Sequence, residues 1–250
     1  MRALGLAQGL AAAARARATW AKYLSKWVTA YEGQGVSLWG LTVQNEPEFA
    51  APWEACQYNA SFEAAFVREF LGPTLRADHP GLKIMAFDHN KDHLEAWTEA
   101  MFPAPSLDPA PGASVPAAAA AATVALDGEV VSTRGAGGFV DGMAFHWYAG
   151  GVDRLQDGTF GYHFVARAAE LLAETSGGAG RGDHGPAASS GTAAAAAADE
   201  APFLLPTEGC NCPGAEAAGS ALSWLRSERY AHDILQDLNN YASGWVDWNL

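Results

Sequence analysis

The fold is decided by the stretch Val36-Ser37-Leu38-Trp39-Gly40-Leu41-Thr42-Val43, which runs directly into Gln44-Asn45-Glu46-Pro47. Its first eight residues are mostly apolar, a pattern typical of a parallel β-strand that is buried on both faces. Such a strand would carry an amide, Asn45, and a carboxylate, Glu46, to its C-terminal end. Barrel enzymes hold their reacting groups at this end of their strands. We therefore expect Glu46 to lie in a functional site.

Four more runs of the same kind follow along the chain, and helical patterns separate them. The runs cover 82–87, 139–145, 203–206 and 243–247. Each run leads into polar or aromatic residues, in turn Asp88-His89-Asn90, His146-Trp147-Tyr148, Thr207-Glu208-Gly209 and Trp248-Asn249. Five strands that alternate with helices predict a parallel α/β architecture.

The helix predictions rest on apolar residues spaced three and four positions apart. This spacing predicts helices over 19–31, 62–76 and 223–241. Ser61 is the predicted N-cap of the second helix. In the third helix, the face expected in the core consists of Leu225, Tyr230, Ile234, Leu235 and Leu238.

Length and composition predict one catalytic domain. The chain has 250 residues, 49% of them hydrophobic, which is enough for one large core. This is also about the length of a single (β/α)8 barrel. Stretches rich in Ala, Pro, Gly and Ser, near 103–125 and 176–201, are predicted to be low-complexity insertions in surface loops. The segment 1–18 is rich in Ala and Arg and has no acid, a composition shared with organelle transit peptides. We expect an ordinary Ala-rich helix or loop there, and the catalytic domain over 19–250.

Charge and cysteine content restrict the partners. The chain carries 28 acidic and 15 basic residues, for a net charge of -13. Nucleic acids and anionic membranes repel such a chain, so we expect no nucleic-acid partner and at most peripheral contact with a lipid membrane. The three cysteines, Cys56, Cys210 and Cys212, lack the spacing of a zinc site and imply no disulfide framework. We therefore expect thiols and no metal site.

Two carboxylates stand at strand ends, Glu46 and Glu208. Alone, a glutamate in this position is more often a cap or an ion-pair partner than a catalyst. Two carboxyl groups about 5 to 5.5 Å apart, however, can cleave a glycosidic bond with retention and without any metal or organic cofactor. At that separation it is costly to ionise both groups, so one keeps its proton near neutral pH and can act as an acid.

Six ordered motifs resemble the glucosylceramidase (acid β-glucosidase) branch of glycoside hydrolase family 30. They are WGLTVQNEP (39–47), PWEAC (52–56), LGPTL (71–75), HWY (146–148), TEGC (207–210) and GWVDWNL (244–250). The resemblance covers nearly the whole chain from about residue 19, apart from the two insertions. It implies a (β/α)8 TIM barrel of which this chain, incomplete at both ends, holds only about strands 4 to 8.

The same resemblance implies a role for each matching residue. Glu46 would be the general acid and base, Glu208 the nucleophile, and Asn45 would bond to the 2-hydroxyl of the sugar. The other implied substrate-binding residues are Trp53, Asp88, His146, Trp147, Tyr148, Trp248 and Asn249. His146 considered by itself is more often a hydrogen-bonded core residue.

The function implied by the resemblance is retaining hydrolysis of a β-glucoside, foremost glucosylceramide to glucose and ceramide, in a lysosomal or extracellular setting. One alternative is a related hydrolase of β-glucan or xylan. Another is a degenerate barrel that binds sugar without turnover, because an open five-stranded half-barrel would leave apolar edges and unpaired backbone groups.

Overall fold

The structure is a computed structural model that describes residues 14–53, 55–103, 123–126, 129–132, 135–148, 161–175, 201–210 and 220–248. Its strands are β1 (Gly40–Thr42), β2 (Lys83–Asn90), β3 (Thr123–Leu126), β4 (Glu129–Ser132), β5 (Gly142–His146) and β6 (Phe203–Glu208). Its helices are α1 (Ala14–Glu32), α2 (Ala60–Phe66), α3 (Gly72–Asp78), α4 (Leu94–Met101), α5 (Tyr162–Thr175) and α6 (Ser220–Asn239). A π-helical turn, Val67–Leu71, joins α2 to α3.

Four strands form one parallel sheet in the order β1-β2-β5-β6, and β3 pairs with β4 in a separate antiparallel hairpin. The strands β2 and β5 are buried almost throughout, as expected where helices cover a parallel sheet. The predicted parallel α/β architecture is confirmed. Most of the second insertion, and residues 104–122 of the first, lie outside the described residues.

The sheet curves strongly, so that its two outer strands face each other. Flat strands about 4.8 Å apart would leave about 14 Å between the first and fourth strands. Instead the Trp39 ring, just before β1, lies 5.5 Å from the ring of Phe203 on β6. At the other end, Thr42 on β1 and Thr207 on β6 both bond to one carboxylate, that of Asp88. This curvature is that of a barrel wall, and it gathers the C-terminal strand ends around one point.

The first predicted strand is shorter than expected. It was predicted over 36–43, whereas β1 holds only Gly40–Thr42, because pairing begins where β2 begins, at Lys83. The fifth predicted strand, over 243–247, is not a regular strand. Its backbone follows β6 through hydrogen bonds from Ser243 N to Leu204 O (2.8 Å) and from Val246 N to Pro206 O (2.9 Å). Just before this segment, Ala242 forms a single β-bridge with Leu204 of β6.

Two helix predictions need correction. The helix predicted over 62–76 is divided into α2, the π-helical turn and α3, and its N-cap is Asn59 rather than Ser61, since the Asn59 side chain accepts the N–H of Phe62 at 2.8 Å. The predicted core face of α6 is wrong at Leu235 and Leu238, which are exposed. Leu225, also predicted in the core, lies among the side chains that the structure does not describe. Of the described side chains of that helix, the buried ones are Asp233 and Asp237, because both bind the buried ammonium of Lys91.

Two further features bear on the sequence-based expectations. Cys210 is disulfide-bonded rather than a thiol, whereas Cys56 is free. Among the described residues, no helix is both long and apolar enough to cross a membrane.

Candidate active site

The C-terminal ends of the sheet bring four predicted residues together: Glu46, Asp88, His146 and Glu208. His146, the last residue of β5, is fully buried at their centre. Its Nδ1 lies 3.4 Å from Glu46 Oε1, and its Nε2 lies 3.2 Å from Asp88 Oδ1 and 3.8 Å from Glu208 Oε2. The side chains of Glu46 and Glu208 remain 23% and 16% exposed, so a substrate can reach both carboxylates.

The two glutamates face each other at short range. One carboxylate oxygen of Glu46, one of Glu208 and one ring nitrogen of His146 all lie within 4.8 Å of one another. Retaining glycosidases hold their carboxyl groups about 5 to 5.5 Å apart, whereas inverting enzymes leave about 6.5 to 9.5 Å for a water molecule. The spacing at this site is therefore the one that allows direct attack by a carboxylate.

The electrostatics of the cluster depend on His146. Burial opposes a charge on this ring, but its contacts with Asp88 and Glu46 and the charge of Glu208 raise the pKa of His146 to about 9. At neutral pH the ring is therefore an imidazolium, whose Nε2 donates to Asp88 and whose Nδ1 lies within ion-pair distance of Glu46. Since an imidazolium has no free lone pair, the cluster is better suited to proton transfer than to holding a metal ion.

The two glutamates respond to this charge differently. The adjacent His146 lowers the pKa of Glu46, although burial opposes this shift. Burial raises the pKa of Glu208, and the negative charges of Glu46 and Asp88 add to the effect while His146 opposes it. In the resting site Glu46 is thus the more acidic group, and the proton that an acid role would need lies beside it on His146.

Asp88 is held in an unusual backbone conformation at the end of β2. The strand register shifts between Phe87 and His89, which makes Asp88 the extra residue of a β-bulge. Its φ is 59°, in the left-handed region, where a non-glycine residue costs about 1–3 kcal/mol. Its carboxylate accepts hydrogen bonds from Thr42 and Thr207, both at 2.6 Å. Burial opposes the Asp88 charge, yet bonds from His146, Thr207 and Thr42 keep the pKa of Asp88 below its ordinary value.

Aromatic side chains form one wall beside Glu208. Tyr148 donates its hydroxyl to Glu208 Oε1 at 3.4 Å. Trp147 is nearly buried, stacked on Tyr230 at 5.0 Å and edge-on to Trp245 at 6.4 Å. Trp245 packs so closely on the residue after the nucleophile candidate, Gly209, that a Cβ there would lie 2.4 Å from its ring. Only glycine therefore fits at position 209.

The remaining predicted residues lie farther from the carboxylates or outside the description. Asn45 is exposed beside Glu46. Trp53 is 63% exposed and meets Phe49 edge-on at 6.1 Å, on the loop that follows Glu46. Trp248 is 47% exposed, and its backbone N–H donates to Gly209 O at 3.2 Å. Asn249 falls outside the described residues.

Several residues in contact with the cluster were not singled out from the sequence. Thr42 and Thr207 bind Asp88, and the ring of His89 lies edge-on to that of His146, with the ring centroids 6.4 Å apart. Thr207 stands directly before Glu208, and its position at a strand end could have indicated it. Glu63 is a lone acid among Phe62, Ala64 and Phe66 on a buried helix face, a signal that sequence analysis could have used.

Comparison with known proteins identifies the family. A family model described as the glycosyl hydrolase family 30 TIM-barrel domain matches residues 1–108 and 189–250. The chain belongs to glycoside hydrolase family 30. The resemblance drawn from its motifs is thereby confirmed, as is the expected TIM-barrel class, of which the described residues form part.

Relatives of this family 30 chain are named for different glucose-containing substrates. Putative glucosylceramidase 4 of Caenorhabditis elegans is 30% identical over 241 residues, which cover 92% of this chain and 34% of that protein. Lysosomal acid glucosylceramidase of Mus musculus is 24% identical, covering 93% of this chain and 34% of that protein. Endo-1,6-beta-D-glucanase neg1 of Aspergillus fumigatus is 33% identical over 73 residues, covering 29% of this chain and 15% of that protein.

A solved structure supports the fold. SrfJ from Salmonella typhimurium superposes with a TM-score of 0.61 at 24% identity, covering 95% of this chain and 38% of that one. The family 30 chain described here thus spans about a third of the length of the curated relatives that it matches along most of its own length.

Proposed function

We propose that this chain carries the catalytic half of a retaining β-glucosidase, with Glu208 as nucleophile and Glu46 as general acid and base. The observation that carries the proposal is the approach of the two carboxylates to within 4.8 Å on either side of His146. Membership of a glycoside hydrolase family supports the reaction type. The assignment of the two roles follows the family motifs that hold Asn45-Glu46-Pro47 and Thr207-Glu208-Gly209.

The reaction proceeds in two displacements. A Glu208 oxygen attacks the anomeric carbon while the glycosidic oxygen leaves with a proton from Glu46, giving a glycosyl ester on Glu208 and the free aglycone. Glu46, now a carboxylate, takes a proton from water, and the oxygen of that water attacks the same carbon and releases Glu208. Each displacement inverts the anomeric carbon, so the sugar leaves with its original configuration.

The proton for the first step comes from the pair formed by His146 and Glu46. In the resting site it lies on His146, 3.4 Å from Glu46 Oε1. The negative charge of Glu208 helps to raise the pKa of His146, and that charge disappears as Glu208 forms the ester. The proton consequently becomes easier to pass to Glu46 at the moment when the leaving oxygen needs it.

The remaining predicted residues would bind the sugar or support those that do. Asn45 would bond to the 2-hydroxyl, and the aromatic side chains of Tyr148, Trp53 and Trp248 would pack against the apolar faces of the substrate. Trp147 would back this wall, since it is nearly buried. Asp88 and His146 would fix the charges of the catalytic pair, and the family motif that contains Asn249 would make it a further polar neighbour of that pair.

We infer glucosylceramide, cleaved to glucose and ceramide, as the foremost substrate. The best support is the 30% identity to a protein named a putative glucosylceramidase, across 92% of this chain. The exposed Phe49 and Trp53 offer an apolar surface beside Glu46, suited to a lipid aglycone. This role would place the enzyme in sphingolipid metabolism, in peripheral contact with a membrane and in a lysosomal or extracellular compartment.

An aryl β-glucoside tests the catalytic roles. Glu208→Gln should abolish turnover of every glycoside, whereas Glu46→Gln should cost about 100- to 10,000-fold on a substrate with a poor leaving group and little on an activated one. Glu95→Gln, a change at a partly exposed residue of α4, is the matched control and should leave the rate unchanged. Equal loss in the Glu46→Gln variant on both substrates would contradict its role as the acid.

A direct comparison of substrates tests the specificity. The local 33% identity to an endo-1,6-beta-glucanase favours β-1,6-glucan as the second candidate. With glucosylceramide in detergent micelles and β-1,6-glucan assayed side by side, we expect the higher kcat/KM on the lipid. Faster release of reducing ends from the glucan would reverse the assignment. Binding of glucose without any turnover by the folded chain would instead indicate a sugar-binding barrel.

A further inference from the structure

A buried carboxyl group that the proposed mechanism does not use lies behind the active site. Glu63, on α2, is completely buried. Its Oε1 accepts the backbone N–H of Phe87 at 2.9 Å. Its other oxygen, Oε2, is also buried and has no hydrogen-bond partner among the described residues. An apolar side chain would pack there without that unsatisfied atom, so the carboxyl group needs an explanation.

The explanation lies in the bulge of β2. Phe87 pairs with Ala144 and His89 pairs with Phe145, which leaves Asp88 between them as the additional residue. Both Phe87 and Asp88 have positive φ, 80° and 59°. A bulge takes a backbone group out of the strand ladder, and in this one the freed N–H of Phe87 finds Glu63 as its acceptor.

The bulge matters because Asp88 contacts Glu46 through its backbone and two neighbours of Glu208 through its side chain. Its carbonyl accepts the N–H of Glu46 at 2.9 Å. Its carboxylate binds Thr207, directly before Glu208, at 2.6 Å, and it lies 3.2 Å from the Nε2 of His146. A change in the bulge would therefore move the partners of both catalytic carboxylates at once.

We propose that Glu63 is a positioning residue, whose carboxyl group fixes the β2 bulge and so aims Asp88 at His146 and holds Glu46 in place. Complete burial raises the pKa of Glu63 to about 8; the N–H of Phe87 opposes this shift and the Asp88 charge adds to it. The other titratable neighbour is Tyr58, whose phenol is also buried. Because of this burial Glu63 is a neutral acid at neutral pH, and the negative charge of Asp88 adds to the effect.

Two variants separate positioning from packing. Glu63→Gln keeps a neutral acceptor for the N–H of Phe87, whereas Glu63→Met keeps the volume and removes the acceptor. In protein labelled at histidine, NMR follows the titration of His146. The inference rests on the proposed function for its kinetic readout, kcat and KM on an activated β-glucoside, but the NMR readout needs no activity.

We expect Glu63→Gln to retain the wild-type titration of His146 and the wild-type kcat. Glu63→Met should lower the pKa of His146 towards its ordinary value and reduce kcat about 100-fold with KM unchanged, since small misplacements of catalytic groups cost that much. A Glu63→Met variant with the wild-type titration of His146 and the wild-type kcat would overturn the proposal. A Glu63→Gln variant whose kcat falls as far as that of Glu63→Met would also overturn it.

The design keeps the two proposals distinguishable. If the wild type hydrolyses no glucoside and Glu63→Met still shifts the His146 titration, the proposed function fails and the positioning role stands. If Glu63→Met does not fold, hydrogen exchange at the Phe87 amide decides the matter. Slow exchange in both the wild type and Glu63→Gln supports the bond to Glu63, and fast exchange in the folded wild type overturns it.

Discussion

At the scale of single residues, His146 sets the protonation state of the whole cluster. It touches Glu46, Asp88 and Glu208, and these carboxylates raise the pKa of His146 to about 9. A histidine whose pKa is higher in the folded than in the unfolded chain stabilises the fold most below its unfolded pKa, about 6.5. That contribution is lost as the pH rises through about 9, so the free energy of unfolding should fall across this window.

The same residue gives a prediction for the pH dependence of activity. The kcat/KM of the wild type should rise as Glu208 ionises, at a pH above the ordinary glutamate value, and fall as His146 loses its proton at about 9. In His146→Gln the alkaline limb should move to lower pH, because Glu46 itself must then hold the proton that the leaving oxygen needs. The pKa of Glu46 should rise, because the ring that lowers it is gone.

The pH dependence of kcat/KM on a β-glucoside with a poor leaving group, which needs the proton from the acid, measures both limbs. His163→Gln is a suitable control, since that histidine is exposed on α5. An unchanged alkaline limb in His146→Gln would show that another group titrates there and would contradict the proposed proton source.

Sequence analysis reached some of these residues and not others for a physical reason. Glu46 and Glu208 were predicted because each follows a buried strand, a purely local pattern. Thr42 and Glu63 were not, because their roles depend on partners in other elements. Glu63, for example, meets Phe87 only once α2 packs against β2. Whether Glu46 or Glu208 has the lower pKa likewise depends on which ring nitrogen of His146 each carboxylate approaches.

At the scale of secondary-structure elements, a buried ion cluster fastens α6 to the sheet. Lys91, just after β2, places its ammonium 2.7 Å from both Asp233 Oδ1 and Asp237 Oδ1. Asp233 also accepts the indole N–H of Trp245 at 2.9 Å, and the backbone N–H of Lys91 donates to Tyr148 O at 2.9 Å. The cluster thereby supports both Tyr148 and the tryptophan that packs on Gly209.

Removing one charge from such a cluster should lower the free energy of unfolding far more than removing all of its charges. Lys91→Met leaves two buried carboxylates without a counter-ion and should lower the free energy of unfolding by about 3–5 kcal/mol. Lys91→Met combined with Asp233→Asn and Asp237→Asn should recover most of that loss. Burial raises the pKa of Asp237 to about 8 against the pull of Lys91, so the loss from the single change should be largest above that pH, where both carboxyl groups are ionised.

Urea unfolding of the wild type and of these variants provides the measurement. Lys83→Met, a change at a partly exposed lysine at the opposite end of β2, serves as the control. A small loss in the Lys91→Met variant, no greater than in that control, would show that the cluster contributes little.

The same cluster explains an error in predicting α6 from its sequence. Periodicity places Leu235 and Leu238 in the core, whereas the structure buries Asp233 and Asp237 because Lys91 reaches them from more than a hundred residues away in the chain. Hydrophobic patterns located the four sheet strands, most clearly β2 and β5, whose burial on both faces is visible locally. They overestimated the strand at 243–247, where the backbone bonds to β6 without forming a regular ladder.

At the scale of the whole molecule, the described residues form one curved wall of a family 30 barrel. The meeting of Trp39 with Phe203 and of Thr42 and Thr207 at Asp88 shows how far the four strands curve towards each other, with Glu46 and Glu208 at their C-terminal ends. Within the described part of the chain, β1 has a strand neighbour on one side only. The curvature could not be read from strand patterns, because it results from pairing between strands distant in sequence.

The central claim is that Glu208 attacks the sugar from a site in which Glu46 supplies the proton. The most direct measurement uses an activated β-glucoside whose 2-hydroxyl is replaced by fluorine, which slows hydrolysis of the glycosyl ester, followed by mass spectrometry of the digested protein. We predict one fluorosugar on the peptide that contains Glu208, and none in Glu208→Gln. A label on Glu46 or on another carboxylate, or turnover of the unsubstituted glucoside with inverted product, would contradict the account.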